Sequence, residues 1–150
     1  RLQQIFDILF ALAFFVAVIT SFLAVPGIPF LYGEAYTRTS PILIIHIWAG
    51  IFMFMKAIID KWVLIENALH FQLMIHGGGA LLNVLLNFIL IPKFGGIGSA
   101  VATLLSYAAS SYLFLFFYSR SRNLAIKISK AFIFPLRLFL FRAKIWDHFQ

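Results

Sequence analysis

NVLLNFILIPKFGGIGSAVATLLSY, running from Asn83 to Tyr107, decides the fold. It reads as the end of one apolar helix, a tight break and the start of another. Leu81 to Ile91 is apolar except for Asn83 and Asn87, which stand four apart and share one helical face. Pro92 cannot continue the helical hydrogen-bond ladder, and Gly95 with Gly96 permits a turn. Beyond the turn, Gly98, Ala102, Ser106 and Ser110 recur every four residues, with Ser99 and Thr103 beside them. Inside a membrane such a small-residue stripe lets another helix approach closely. Two helices of bilayer length joined by one short turn make a transmembrane hairpin, and the rest of the chain extends it.

Composition supports that setting. Of 150 residues, 63% are hydrophobic and only 11% charged, where a soluble domain carries about 25% charged residues. Mean hydropathy is +0.98. Nineteen Phe side chains do not fit one small soluble core. The absence of cysteine excludes a disulfide framework and a thiolate metal site. The net charge of +7 is concentrated, with 7 of the 12 Lys and Arg between Arg120 and Lys144. That asymmetry points to a membrane surface or to topology rather than to nucleic acid. The fold class is therefore all-α, a polytopic membrane helical bundle.

The first span is expected from Ile5 to Val25, ended by Pro26, Gly27 and Pro29. Phe30 to Pro41 follows as a polar loop in which Glu34 and Arg38 have the spacing of a helical ion pair. The second span, Ile42 to Ile59, carries His46 and Lys56. A charge at mid-helix costs about 2.5–3.5 kcal/mol on insertion scales, so Lys56 must snorkel or face a wet cavity. Asp60, four residues on, is placed to neutralise it. Glu66 to Gln72 is a polar connection. The third span, Leu73 to Ile91, contains Gly77, Gly78 and Gly79, which cost a helix about 3 kcal/mol relative to alanine. The run implies close helix contact, a hinge or a broken turn. His76, Ala80, Asn83 and Asn87 fall on one face. The fourth span, Ile97 to Tyr118, has a small-residue half and an aromatic half expected to face lipid or the interface. Residues 119–150 form a basic amphipathic tail, with Leu124, Ile128, Ala131 and Phe132 opposite Lys127 and Lys130. Such a tail binds anionic headgroups, and the positive-inside rule makes it cytoplasmic. The chain starts at Arg1 without Met and enters an apolar helix at once, with no signal peptide. It reads as the C-terminal piece of a larger protein; the alternative is a small complete protein.

LYGEAY (Leu31 to Tyr36), PILIIHIWAGIFMF (Pro41 to Phe54) and the Asn83–Tyr107 run together resemble the C-terminal part of O-antigen-type polysaccharide flippases. These belong to the multidrug/oligosaccharidyl-lipid/polysaccharide exporter superfamily. The resemblance covers about Phe30 to Tyr118, and its most specific part is the pattern from Asn83 to Thr103. Gly77–Gly79 and the long basic tail depart from it. It implies about twelve or more helices in two pseudo-symmetric lobes around a central cavity, of which this chain matches the last four. It also implies carriage of undecaprenyl-diphosphate-linked oligosaccharide from the cytoplasmic to the outer leaflet of the bacterial inner membrane. The partners implied are that lipid-linked oligosaccharide and a missing N-terminal lobe. Four helices alone do not enclose a two-lobed cavity, so the isolated chain is not expected to transport.

His46, Lys56, Asn83 and Asn87 are the translocation-path candidates, as the polar groups inside the spans. Each also has a plain structural reading: a carbonyl-bonded helix-end histidine, a snorkelling lysine, an interhelical amide pair. Pro92, Gly95, Gly98, Ala102 and Ser106 are hairpin and packing positions. No Ser/His/Asp set and no metal-ligand spacing stands in the sequence, and Gly95-Gly96-x-Gly98 lacks the preceding strand of a phosphate loop. Transport without covalent chemistry, cofactor or metal is the expectation. The competing readings are a drug or small-cation exporter of the same superfamily, which calls for an acidic residue at mid-depth, and a non-transporting membrane subunit.

Overall fold

Four long helices carry the chain, and a fifth, shorter one turns back along them. The structure, a computed structural model, describes residues 1–135. The helices are α1 (Leu2–Tyr32), α2 (Thr39–Ile65), α3 (Leu69–Phe94), α4 (Gly96–Ser111) and α5 (Arg122–Phe132), with 3-10 turns at Glu34–Tyr36, Leu113–Phe116 and Ser119–Ser121. No strand occurs among the described residues. The three longest helices, and the Gly96–Phe116 stretch with its 3-10 turn, are long and apolar enough to cross a membrane. Much apolar surface stays exposed on them, Phe22, Phe30 and Phe88 above all, as lipid-facing helices require.

The prolines do not act as stops. Pro26 and Pro29 lie inside α1, which runs on to Tyr32 and ends at Gly33, φ 90°, whose N–H bonds the Pro29 carbonyl at 2.8 Å. Pro92 lies inside α3, and the break with α4 is the single residue Gly95, φ 56°. Each proline forfeits one backbone bond. Leaving the helix within a bilayer would forfeit several with no water to replace them, so the helix is the cheaper state. Gly95 supplies the positive φ that reverses the chain, and its N–H bonds Ile91 O at 2.8 Å.

α2 begins at Thr39, so the first loop is shorter than the sequence suggests, and within it Thr37 Oγ1 bonds Glu34 at both the carbonyl and the carboxylate. Gly77 to Gly79 form neither hinge nor broken turn, because α3 passes through them unbroken. Gly78 and Gly79 serve close contact. A Cβ on Gly79 would stand 2.9 Å from Ser110 Cβ, and one on Gly78 would stand 2.8 Å from the Phe114 ring.

α4 packs against both α2 and α3, which touch each other little, and α1 lies along the far side of α2. The lateral order is α1, α2, α4, α3. Gly98, Ala102, Ser106 and Ser110 are all buried, so the small-residue stripe is the packing surface of α4. A Cβ on Gly98 would collide with the Leu90 carbonyl, which fixes how tightly the hairpin closes.

Two expectations for the far end of α4 are corrected. The α-helix stops at Ser111 and the span continues to Phe116 through a 3-10 turn, short of the expected Tyr118, with Ser106, Ser110 and Ser111 turning their hydroxyls onto carbonyls three and four residues back. The following aromatics do not all face lipid. Leu115 is fully buried, with Tyr112, Phe114 and Tyr118 packed against the core, while Phe116 and Phe117 stay exposed. Tyr118 stacks on Phe71 with ring centroids 4.7 Å apart.

α5 is amphipathic as expected, but its apolar face meets protein rather than lipid. Leu124, Ala125, Ile128 and Ala131 are buried in the same core cluster as Phe6 and Phe10 of α1 and Met55 and Ile59 of α2. Phe132 sits 5.5 Å from both Phe10 and Tyr112, and Tyr112 Oη shares a 2.8 Å hydrogen bond with Ser129 Oγ. Residues 136–150, the rest of the expected tail, lie outside the described residues.

Candidate functional site, a polar crevice between α2 and α3

Because α4 lies between α2 and α3, those two helices leave a crevice with α4 as its floor. Its volume is about 350 Å³, and it is lined by Lys56 from α2, His76 and Asn83 from α3, and Thr103, Ser106 and Tyr107 from α4. Depth follows from the helical rise. Lys56 stands nine residues before the end of α2 and Asn83 fourteen after the start of α3, which puts them about 14 Å and about 21 Å along the helices from the Glu66–Ala68 turn. The crevice therefore runs through the part of the bundle where lipid would otherwise be met.

One end is closed by three side chains in a triangle. Lys56 Nζ is 3.1 Å from Asp60 Oδ1 and 2.8 Å from His76 Nε2, and His76 Nε2 is 3.2 Å from the same Asp60 oxygen. Lys56 is the most enclosed, its side chain 12% exposed against 32% for Asp60 and 47% for His76. An ammonium has three protons and no lone pair. Donating to both Asp60 and His76, it satisfies the two short contacts at once, and the third side of the triangle is then two acceptors sharing one donor. With His76 neutral the group sums to zero charge, which is how a lysine is kept at this depth. The Lys56–Asp60 pair expected from spacing is made, and His76 adds a bridge from α3.

Asn83 lines the crevice and accepts a 2.9 Å bond from Asn87 Nδ2. That same-helix pair is the one the spacing sets up, not one between helices. Asn87 Oδ1 is buried without a hydrogen-bond partner among the described residues, and Asn87 does not itself reach the crevice lining. His46 sits on an exposed part of α2, also outside the lining. Of the four path candidates the structure thus brings together Lys56 and Asn83. His76 and Tyr107 are the additions. His76 was legible on the Asn83 face of α3, whereas Tyr107 became visible only with the placement of α4.

The wall supplied by α4 has a fixed polarity. Thr103 Oγ1 donates to Ser99 O at 3.0 Å, Ser106 Oγ to Ala102 O at 2.7 Å, and Ser110 Oγ to Tyr107 O at 3.3 Å. Their protons are spent on the helix backbone, as is common for hydroxyls in membrane helices. No group of three or more His, Cys, Asp or Glu that would hold a metal occurs among the described residues. The chemistry on offer is hydrogen bonding and charge balance in a confined, water-accessible slot. Compared with protein-family models, curated proteins and solved structures, the chain matches none.

Proposed function

We propose that this chain is the C-terminal part of a flippase that carries lipid-linked oligosaccharide, on an undecaprenyl diphosphate carrier, across the inner membrane of a bacterium for O-antigen or other surface-polysaccharide assembly. The observation that carries the reading is the crevice: a lysine, an imidazole and an amide gathered at bilayer depth, on helices whose other faces are apolar. Polar groups are costly there and mark transport paths or partner contacts. The motif run from Asn83 to Thr103 supplies the substrate class by resemblance. In this reading the N-terminal lobe of the same protein closes the open side of the crevice. The two lobes then rock about it, the bound group being handed from one leaflet to the other. No bond is made or broken, so the protein is a transporter and not an enzyme. The residues after α4, with their exposed cations, face the cytoplasm and its anionic headgroups.

Deleting the gene in its host tests this. The expected result is lipid-linked oligosaccharide trapped in the cytoplasmic leaflet and loss of the surface glycan, with DNA upstream of Arg1 continuing in frame through further apolar spans. An undiminished surface glycan overturns the reading.

A further inference from the structure

Building on the flippase reading, we propose that the crevice between α2 and α3 receives an uncharged, hydroxyl-rich group of the sugar class and turns away a phosphate. The hydrogen-bond inventory of its walls carries this. On the α4 side, Thr103, Ser106 and Ser110 have donated their protons to backbone carbonyls and present only lone pairs. A row of lone pairs repels an anion and receives O–H or N–H donors. On the α3 side, the Asn83 amide oxygen is taken by Asn87 Nδ2, which leaves the Asn83 NH2 group as a donor. The α4 wall thus accepts along Thr103, Ser106 and Ser110, with the Tyr107 hydroxyl able to donate or accept, and the α3 wall donates. A hydroxyl does both, and a sugar carries several at the spacing of adjacent ring carbons.

Lys56 does not reverse this preference. Its ammonium is engaged with Asp60 at 3.1 Å and His76 at 2.8 Å. A phosphate could take the third ammonium proton of Lys56 only while standing beside the Asp60 carboxylate, whose charge opposes it. A hydroxyl at the same end loses nothing, since it can donate to the free lone pairs of Asp60 or accept from Lys56. The volume of about 350 Å³ lies within the usual range of small-molecule sites. In the flippase setting the diphosphate is then held by another part of the protein, and this crevice reads the glycan.

The test is ligand-observed NMR on the full chain in nanodiscs, with maltotriose as an uncharged sugar probe and inorganic pyrophosphate as the anion probe. Saturation transfer to maltotriose is expected, with little broadening of the pyrophosphate phosphorus line at equal concentration. Thr103→Val, which keeps the shape and removes the acceptor, and Asn83→Leu are each expected to weaken the sugar signal by about tenfold, the scale of one well-placed hydrogen bond. Both variants are read beside their helix content by circular dichroism; the valine variant keeps the test decisive if the leucine variant misfolds. Pyrophosphate broadening that Lys56→Met abolishes, without sugar transfer, overturns the assignment and makes this an anion site. Binding of neither probe, or sugar transfer that both variants leave unchanged, overturns it as well. Each of these failures leaves the flippase reading standing, because that reading falls on the surface-glycan assay alone.

Discussion

At Gly98 the distance between two helices is set by a missing side chain. An added Cβ would collide with the Leu90 carbonyl, a backbone atom that cannot swing aside as a side chain can. Gly98→Ala is therefore expected to push α3 and α4 apart and destabilise the protein by about 1–3 kcal/mol, the usual cost of overpacking. Gly77→Ala is the control, since nothing lies within 4 Å of its added Cβ. It is expected to be neutral, or to stabilise by up to about 1 kcal/mol through helix propensity. Thermal unfolding in detergent of both variants checks the pair, and equal melting temperatures would show that the close crossing contributes nothing. A second expectation at this scale concerns one proton. In the triangle, His76 Nε2 is the atom facing the Lys56 ammonium at 2.8 Å. An ammonium only donates, so neutral His76 must carry its proton on Nδ1. Nitrogen-15 NMR of labelled histidine reads the tautomer directly. The expected result is an Nδ1–H neutral ring that His76→Gln removes from the spectrum. A neutral Nε2–H ring would mean that His76 donates to Asp60 and that Lys56 is turned away.

Among the elements, α5 shows how one pattern serves two ends. Its apolar stripe of Leu124, Ile128 and Ala131 suits a helix lying on lipid as well as one docked on protein, and no period in the sequence separates these. The structure docks it, through Phe132 on Phe10 and Tyr112 and through the Tyr112–Ser129 bond. Phe132→Ala is expected to undock α5, and Tyr112→Phe to weaken its seat by about 0.5–1.5 kcal/mol, the net value of one hydrogen bond. Hydrogen exchange of the α5 amides measures both. Faster exchange there with α1–α3 unchanged is the expected result, and unchanged exchange in both variants would mean that the contacts hold nothing in place. The same contrast explains what was legible. The spans were readable because lipid demands long apolar helices, and the Lys56–Asp60 pair because i,i+4 spacing is local, whereas the Asn83–Asn87 bond runs along α3 where a pair between helices was expected. Pro26, Pro29 and Pro92 misled because a rule learned from helices in water weighs a lost bond against solvation that the bilayer does not offer. The crevice depends on α4 entering between α2 and α3, which is tertiary and left no mark at any one position. His76 was placed on the correct face and still not chosen, since its partners lie on another helix.

For the molecule as a whole, the two ends differ in charge, and the difference sets an expectation of which way round it stands. Gly96 lies against Ile42, so the first loop and the Gly95 turn share one end. At the other, Trp62 meets Phe71 edge to face and Phe71 stacks on Tyr118, beside the Glu66–Ala68 turn and the start of α5. Arg38 and Lys93 are the cations of the first end, whereas Lys61, Arg120, Arg122, Lys127 and Lys130 gather toward the second. By the positive-inside rule the Asn67 end is expected in the cytoplasm. The chain has no cysteine, so a single introduced thiol reports without background. Asn67→Cys is expected to be blocked by a membrane-permeant maleimide but not by an impermeant one added to whole cells. Thr37→Cys, in the first loop, is expected to react with both. The opposite labelling would do more than invert a diagram. The Lys56–Asp60–His76 end of the crevice is the one nearer the Glu66–Ala68 turn, so its leaflet follows Asn67. On the flippase reading, with Asn67 inside, a substrate made in the cytoplasm would meet the charge-balanced end first and leave past Asn83. With Asn67 outside, that order would reverse, and a glycan loading from the cytoplasm would have to enter at the far end of the crevice, beyond Asn83, so the labelling tests the order in which the proposed path is met.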